Sequence, residues 1–349
     1  MAKRTSRRQG TGSTINDVAK KAGVSPMTVS RVINGEPNVR PVRRDAVMRA
    51  IDELNYSPNS AARSLAGADQ LRIGLLYSNP SAAYLSEFLV GSLDQASRSD
   101  VQLIVEKCDV GDHEMQAVRH LVESGIDGVI LPPPLCDSAA ILDYLRDVNT
   151  PAVAVATARP AEGVSAVSID DFEAARAMTA HICALGHRRI GFIIGNPNQT
   201  ASARRLDGYR AALADAGLAD DPALIVQGQF SYRSGLDAAE LLLSQSHRPT
   251  AIFSSNDDMA AATVAVAHRH GLDVPRDLTV CGFDDTALAT TIWPELTTIH
   301  QPITDMSRAA VEMLIAKIRS RRSGAGEARH LTLDYTFVRR QSDAPPAVR

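Results

Sequence analysis

Residues Thr14 to Asn34 read TINDVAKKAGVSPMTVSRVIN and carry side chains suited to the edges and phosphates of DNA. Arg31 ends in a guanidinium fork that can give two hydrogen bonds to guanine O6 and N7. Thr14, Ser25, Thr28, Ser30 and Asn34 offer small polar groups of the kind that hold a protein in register on the phosphates rather than read bases. Pro26 and Met27 donate no side-chain hydrogen bond, so they suit apolar contact with a thymine methyl or a shape preference. A second set lies far along the chain, where Arg205 in RLDGYR and Asp284 in GFDD combine a fork of donors with paired acceptors. That combination suits the hydroxyls of a sugar.

Two short helices must position the first set. The Thr14 hydroxyl can cap the first, with Asp17 in its acidic first turn. Ile15, Val18, Ala19 and Ala22 then share a face at helical spacing. Gly23 suits the left-handed backbone that ends such a helix. Ser25 caps the next helix and Pro26 occupies its first position, where a missing N–H costs nothing. Val29, Val32 and Ile33 are available for packing. Two helices about a short glycine turn make a helix-turn-helix, whose second helix enters the major groove. A third amphipathic helix is expected over Asn38 to Asn55, with Val42, Ala46, Val47, Ala50, Ile51 and Leu54 at the core spacing. Tyr56-Ser57-Pro58-Asn59 is a helix stop followed by a new cap. The following SAARSLAG suits a helix too short to be stable alone in water.

Charge divides along the same line. Met1 to Gly67 holds 12 Lys+Arg against 5 Asp+Glu, whereas the remainder carries a net charge of −10, within a chain of net charge −3. A basic end on an acidic body fits a nucleic-acid-binding module joined to a domain of another purpose. Lys3, Arg4, Arg7 and Arg8 fall in a Gly/Ser/Thr-rich arm, 1–12, expected to be disordered; it either attracts phosphates or is a solvated tail. No run of about eighteen apolar residues occurs, so no membrane span is expected. The basic N-terminus lacks a secretory apolar stretch, pointing to a cytoplasmic, nucleoid-associated protein. Cys108, Cys136, Cys183 and Cys281 have neither metal-ligand spacing nor a disulfide framework.

Beyond Gly67 short apolar runs alternate with helical segments. The runs are RIGLLY (72–77), VQLIVEKC (101–108), GVILPP (128–133), AVAVA (152–156), RIGFIIG (189–195), AIFSSN (251–256) and LTVCGFDD (278–285). Helices are expected over Ser86–Ser99, Glu114–Ser124, Phe172–Leu185 and Ser202–Ala216. Such alternation predicts parallel α/β sheets covered on both faces. A break near Val164–Asp171 divides the runs into two sets, hence two similar lobes. Ligands of such sheets bind beyond the carboxyl ends of the strands, which a cleft between two lobes would collect.

The strings DVAKKAGVS, TVSRVING, ELNYSPN and ARSLAG, in that order and spacing, resemble the DNA-binding headpiece of the lac/galactose repressor (LacI/GalR) family. GHRRIGFIIG, RLDGYRAAL, SSNDDMAAA, CGFDDT and PELTTIHQP extend the resemblance to that family's periplasmic-binding-protein-like body. It implies a helix-turn-helix domain at 13–58, a hinge helix and linker at 59–68, and an effector-binding and dimerisation domain at 69–340. Three crossings between the lobes would assign about 71–166 and 300–326 to lobe one, and about 167–299 and 327–340 to lobe two. A flexible tail, 341–349, follows; it has no apolar heptads, so a dimer rather than a coiled-coil tetramer is expected.

The resemblance also implies roles. Arg31 falls on the recognition helix, with Pro26 and Met27 where relatives vary their base choice. Asn59, Ala62 and Leu65 fall on the hinge, Leu65 as a minor-groove wedge and Ala62 as the small residue that lets two hinge helices approach. Asn256 matches a ligand contact, and Phe230 stands where relatives place an aromatic platform. Tyr84 and Phe88 follow the first strand and are expected to line the cleft, as is Gln301 beside a crossing. Ala156-Thr157 stand where the lac repressor has an acidic ligand contact, which argues against a galactoside. The function implied is a dimeric DNA-binding transcriptional regulator, a repressor in the family's commoner mode. It would bind a pseudo-palindromic operator with affinity controlled by a sugar or sugar derivative, or by a corepressor as in the purine branch. No cofactor or metal is expected. A transport-type binding protein fits the body but not the basic headpiece. An enzyme finds no support in a GxGxxG, Walker-type or nucleophile-elbow motif after a strand.

Overall fold

The computed structural model describes residues 14–33, 39–54, 70–108, 113–321 and 327–347. The arm 1–12, Asn34, and the hinge residues Asn59, Ala62 and Leu65 lie outside the described residues. The chain divides into two compact units, Met1–Gln70 and Leu71–Arg349.

The first unit contains α1 (Ile15–Ala22), α2 (Pro26–Ile33) and α3 (Pro41–Glu53). Thr14 caps α1 through a reciprocal box with Asp17: the Asp17 amide donates to the Thr14 hydroxyl, and the Asp17 carboxylate accepts from Thr14 N at 2.8 Å. Gly23, at φ 65°, closes α1 in the left-handed region that its lack of Cβ permits. The Ser25 hydroxyl accepts from Thr28 N at the start of α2. Val18, Ala19, Val29, Val32, Val47 and Ala50 form the buried core, with Ile15, Ala22, Ile51 and Leu54 packed against it. Val42, expected in that core, is 79% exposed. At 100° per residue it lies about 130° round α3 from the centre of the stripe made by Val47, Ala50, Ile51 and Leu54.

In the second unit the first sheet runs β11-β5-β4-β3-β1-β2, with every pairing parallel. Its strands are β1 (Arg72–Tyr77), β2 (Gln102–Lys107), β3 (Gly128–Leu131), β4 (Ala152–Val155), β5 (Ser165–Ser168) and β11 (His330–Thr332). All residues of β3 and β4 are buried, as strands covered on both faces require. Helices α4 (Ala82–Arg98), α5 (Glu114–Glu123), α6 (Ala139–Asp147) and α12 (Ile303–Arg321) accompany this lobe.

The second lobe is built on a parallel sheet of order β7-β6-β8-β9, from β6 (Ile190–Ile194), β7 (Ile225–Gln227), β8 (Ala251–Ser254) and β9 (Thr279–Cys281). Its helices are α7 (Asp171–Ala184), α8 (Thr200–Asp215), α9 (Tyr232–Leu243), α10 (Asp257–Arg269) and α11 (Ala287–Thr291). A two-stranded antiparallel sheet, β10 (Thr298–His300) with β12 (Thr336–Val338), joins beside β9 through single bridges at Thr297 and His300. Among the described residues no helix is long and apolar enough to cross a membrane.

Three expectations are corrected. The stretch 164–171, read as a break, contains β5, whose residues Ser165-Ala166-Val167-Ser168 include two serines and so do not stand out as an apolar run. Residues 330–332, expected in lobe two, pair in register with Ala166, Val167 and Ser168 of the first sheet. They are exposed edge residues, so their alternation carries no burial signal. The expected flexible tail is pinned as far as residue 344: Ser342 N–Cα–C backbone and side chain are wholly buried, with Ser342 O accepting from Val280 N at 2.9 Å. Asp343 accepts from Thr297, from Arg339 and from His181, the last at 3.0 Å. Its carboxyl is held below the usual range by those partners, against the opposing effect of burial.

Candidate functional site

Carboxyl ends of parallel strands from both lobes meet in one cleft, as the rule for open α/β sheets predicts. Asn79, Ser81 and Tyr84 follow β1, Pro133 follows β3 and Ala156 follows β4. From lobe two come Gln199, Ala201 and Arg205 at the start of α8, Phe230 before α9, Asn256 after β8 and Asp284 after β9, with Gln301 at the crossing into α12. The space is narrow, about 360 Å³ including its open mouth.

Arg205 is its centre and is only 4% exposed. Its Nε donates to Asp171 Oδ1 at 2.8 Å, and Nη1 donates to the backbone oxygen of Ser255 and lies 3.7 Å from Asp284 Oδ1. The guanidinium stacks on Phe283, 3.6 Å from the ring centroid, and lies 5.6 Å from that of Phe230. Such stacking suits a planar, weakly hydrated cation. Burial raises the pKa of both Asp171 and Asp284, with Arg205 pulling each down. Asp284 is held at φ 108°, unusual for a residue with a Cβ. Its peptide is tied on both sides, with Asp284 N donating to Ile299 O and Gln301 N donating to Asp284 O. Gln301 Nε2 donates to Asp284 Oδ1 at 3.1 Å, leaving Gln301 Oε1 buried without a partner among the described residues. Tyr84 Oη and Asp171 Oδ2 are likewise buried and unpartnered. Burial pushes the Tyr84 phenol well above its ordinary pKa.

Direct hydrogen bonds cross between the lobes around this cleft. Asp137 of lobe one accepts from Thr200 N at 2.8 Å and from the Thr200 hydroxyl, so it caps α8, a helix whose own N-cap residue Gln199 makes no side-chain bond. The Thr157 hydroxyl donates to the same carboxylate at 2.6 Å, and Ala158 N donates to Thr200 Oγ1 at 2.8 Å. On the other side the Ser81 hydroxyl, the cap of α4, donates to Asp258 of α10 at 2.6 Å. Burial raises the pKa of Glu87 in α4. Each lobe thus supplies partners to helix starts in the other.

Of the residues expected in the cleft, Tyr84, Arg205, Phe230, Asn256, Asp284 and Gln301 line it. Phe88 does not: it is wholly buried in the core, its ring stacked on Tyr84 at 6.3 Å. Four positions along α4 from Tyr84, it follows that residue on the same helix face but a turn deeper. Asn256 is already engaged, capping α10 through Met259 N and donating to Phe230 O, both at 3.0 Å. The Phe230 ring lies over Gly195, where an added Cβ would come within 1.9 Å of it. Asn79, Ser81, Gln199, Asp137 and Asp171 escaped the sequence reading. Ser81 was detectable as a cap ahead of the first body helix; nothing local marks Asp137 or Asp171 as partners of lobe two or of Arg205.

In the headpiece, Thr14 and Ser25 are occupied as caps, while α2 presents Pro26, Met27 and Arg31 as exposed and Thr28 and Ser30 as half-buried residues. Residues 14–59 match the model of the bacterial regulatory proteins of the lacI family, and residues 179–342 match a periplasmic binding protein-like domain. Catabolite control protein A of Priestia megaterium is 34% identical over 303 residues, covering 86% of this chain and 91% of the relative. The chain belongs to the lacI family. Another lacI-family relative, the ribose operon repressor of Haemophilus influenzae, is 33% identical over 95% of this chain and 98% of its own. The lac repressor bound to ONPG in the repressed state superposes with a TM-score of 0.76 at 28% identity, covering 95% of this chain and 99% of that one. A complex of the regulator CelR with cellobiose gives 0.72 at 31% identity, with the same coverage. The lacI-family architecture is therefore a helix-turn-helix headpiece and a periplasmic-binding-protein-like α/β body. These lacI-family relatives are transcriptional regulators rather than enzymes.

Proposed function

We propose that this lacI-family protein is a transcriptional repressor that binds a pseudo-palindromic operator as a homodimer. Its operator affinity is set by a sugar or sugar derivative held between the lobes. The observation that carries the ligand site is the meeting of Tyr84, Arg205, Phe230, Asn256, Asp284 and Gln301 in one buried, polar cleft at the strand ends. Arg31 reads a base edge, Pro26 and Met27 make apolar contacts, and Thr28 and Ser30 hold the backbone. Thr14 and Ser25 act by fixing the two helices. Asn34, Asn59, Ala62 and Leu65 keep the roles implied by the family. The protein acts by binding rather than catalysis, in the cytoplasm and on the nucleoid.

The ligand shifts operator affinity only through its different affinity for two arrangements of the lobes. Selection of bound sites from random duplex DNA by the full-length protein tests the first half. Arg31→Ala should then relax preference at one base position in each half-site, by about 1–3 kcal/mol of discrimination. Repeating the titration with each ligand that raises the melting temperature tests the second half and fixes whether it induces or corepresses. A bound ligand that leaves operator affinity unchanged would remove the regulatory reading; absence of any preferred site would remove the DNA reading.

A further inference from the structure

Accepting the cleft as the effector site, we infer that its ligand is a compact, uncharged polyhydroxy compound, and that phosphorylated sugars, sugar acids and nucleotides are excluded from it. Two independent features point there. The first is charge. Arg205 is the one cation among the residues lining the cleft, and it is already committed to Asp171, at 2.8 Å, and to Asp284, at 3.7 Å, besides its stack on Phe283. Whether both carboxyls are ionised or one holds a proton, no positive charge is left over. Asp137 and Asp258 add further acidic groups around the rim, each bonded across the lobes. An anion entering here would meet carboxylates without a counter-ion, in surroundings where like charges repel strongly.

The second feature is the sense of the missing hydrogen bonds. Among the described residues, the buried side-chain atoms without hydrogen-bond partners that belong to the cleft or to the Arg205 cluster are Gln301 Oε1 and Asp171 Oδ2, both acceptors, and Tyr84 Oη, which both donates and accepts. Tyr84 and Gln301, 5% and 1% exposed, belong to the cleft lining itself. Acceptors need a ligand that donates. A sugar hydroxyl donates one hydrogen bond and accepts others, whereas an ionised phosphate or carboxylate oxygen only accepts. The planar ring of Phe230 adds an apolar surface suited to the C–H face of a sugar ring.

The test is calorimetric titration of the full-length protein with matched series: neutral pentoses and hexoses, their terminal phosphates and their uronic acids. At least one neutral member should bind, with its phosphate and its acid weaker by about a hundredfold or more. Asp284→Asn removes one negative charge, retains an acceptor for Gln301 Nε2 and suits the positive φ, so it should reduce that discrimination by about tenfold. Tyr84→Phe, which deletes only an unpartnered hydroxyl, should weaken the neutral ligand by about tenfold, and it serves if the Asp284 variant does not fold. A phosphorylated or acidic member binding as tightly as its neutral counterpart would overturn the inference while leaving the cleft as the effector site. Failure of all three series at millimolar concentration would remove the cleft as a polyol site and the inference with it.

Discussion

Asp137→Ala removes a group that joins the lobes while touching neither core. The carboxylate caps α8 through Thr200 N, and accepts from the Thr200 and Thr157 hydroxyls at 3.0 and 2.6 Å. Loss of an N-terminal helix cap costs about 1 kcal/mol. Each hydroxyl bond to a carboxylate adds about 1.5 kcal/mol at most here, because Asp137 is half-exposed and water can replace it. The two hydroxyls already stand 3.3 Å apart and can re-pair, so a net cost of about 2 kcal/mol is expected. All of it falls on the closed arrangement of the lobes, which corresponds to a shift of about thirtyfold in the ratio of open to closed molecules. Hydrogen exchange of the full-length protein reads this at the Ala158 amide, which donates across the lobes to Thr200 Oγ1 and keeps that acceptor in the variant. The Ala158 N–H should exchange about thirtyfold faster in the variant, while amides in β6 and β8 keep their protection. A ligand that binds the closed form should lose affinity by up to the same factor. Unchanged exchange at Ala158 would refute the role of Asp137 in joining the lobes, and equal acceleration throughout lobe two would show that Asp137 supports the fold rather than closure.

Two further outcomes follow from particular contacts. Asp257 is fully buried, with its oxygens accepting from Thr298, from Thr286 N and from the Thr286 hydroxyl, and burial raises its pKa to about 7. Because the folded pKa lies above the ordinary 3.8, the stabilising contribution is complete below about 3.8 and is lost as pH rises to about 7, by up to about 1.4 kcal/mol per pH unit. Asp257→Asn should flatten that slope; chemical unfolding of both forms at pH 5, 6, 7 and 8 checks it, and parallel curves would refute it. At Gly208 an added Cβ would stand 2.2 Å from Phe172 O and 2.9 Å from Arg176 N, so α7 and α8 touch backbone to backbone there. Gly208→Ala should therefore destabilise the body by about 1–3 kcal/mol despite its better helix propensity, and an unchanged or raised melting temperature would contradict the close approach.

Local chemistry was legible in the sequence because it acts within a few residues. The Thr14–Asp17 box, the left-handed Gly23, the Ser25 cap and the apolar strand runs each depend on neighbours in the chain, and each recurs in the structure. The same holds for the two-lobed α/β pattern, since parallel strands buried on both faces must be continuously apolar. The errors have two sources. Val42 lies off the apolar stripe of its helix and faces water, which helical spacing alone accounts for, whereas Phe88 shares a helix face with Tyr84 yet lies deeper in the core, a depth set by distant parts of the chain.

What the sequence by itself determined is therefore the inventory: a cap-defined helix-turn-helix, two sets of strands and a short list of polar residues at strand ends. Tertiary structure alone decided which of them meet. Arg205 lies 34 residues from Asp171 and 50 from Ser255 in the chain, and Asp137 lies 63 from the helix it caps. The tail beyond Arg340, polar and proline-containing, reads as loose until Thr279, Thr297, His181 and His187 are folded around it. Hydrogen bonds and ion pairs require distance and direction that spacing along a chain does not encode, whereas caps and strand periodicity are satisfied by the chain's own neighbours.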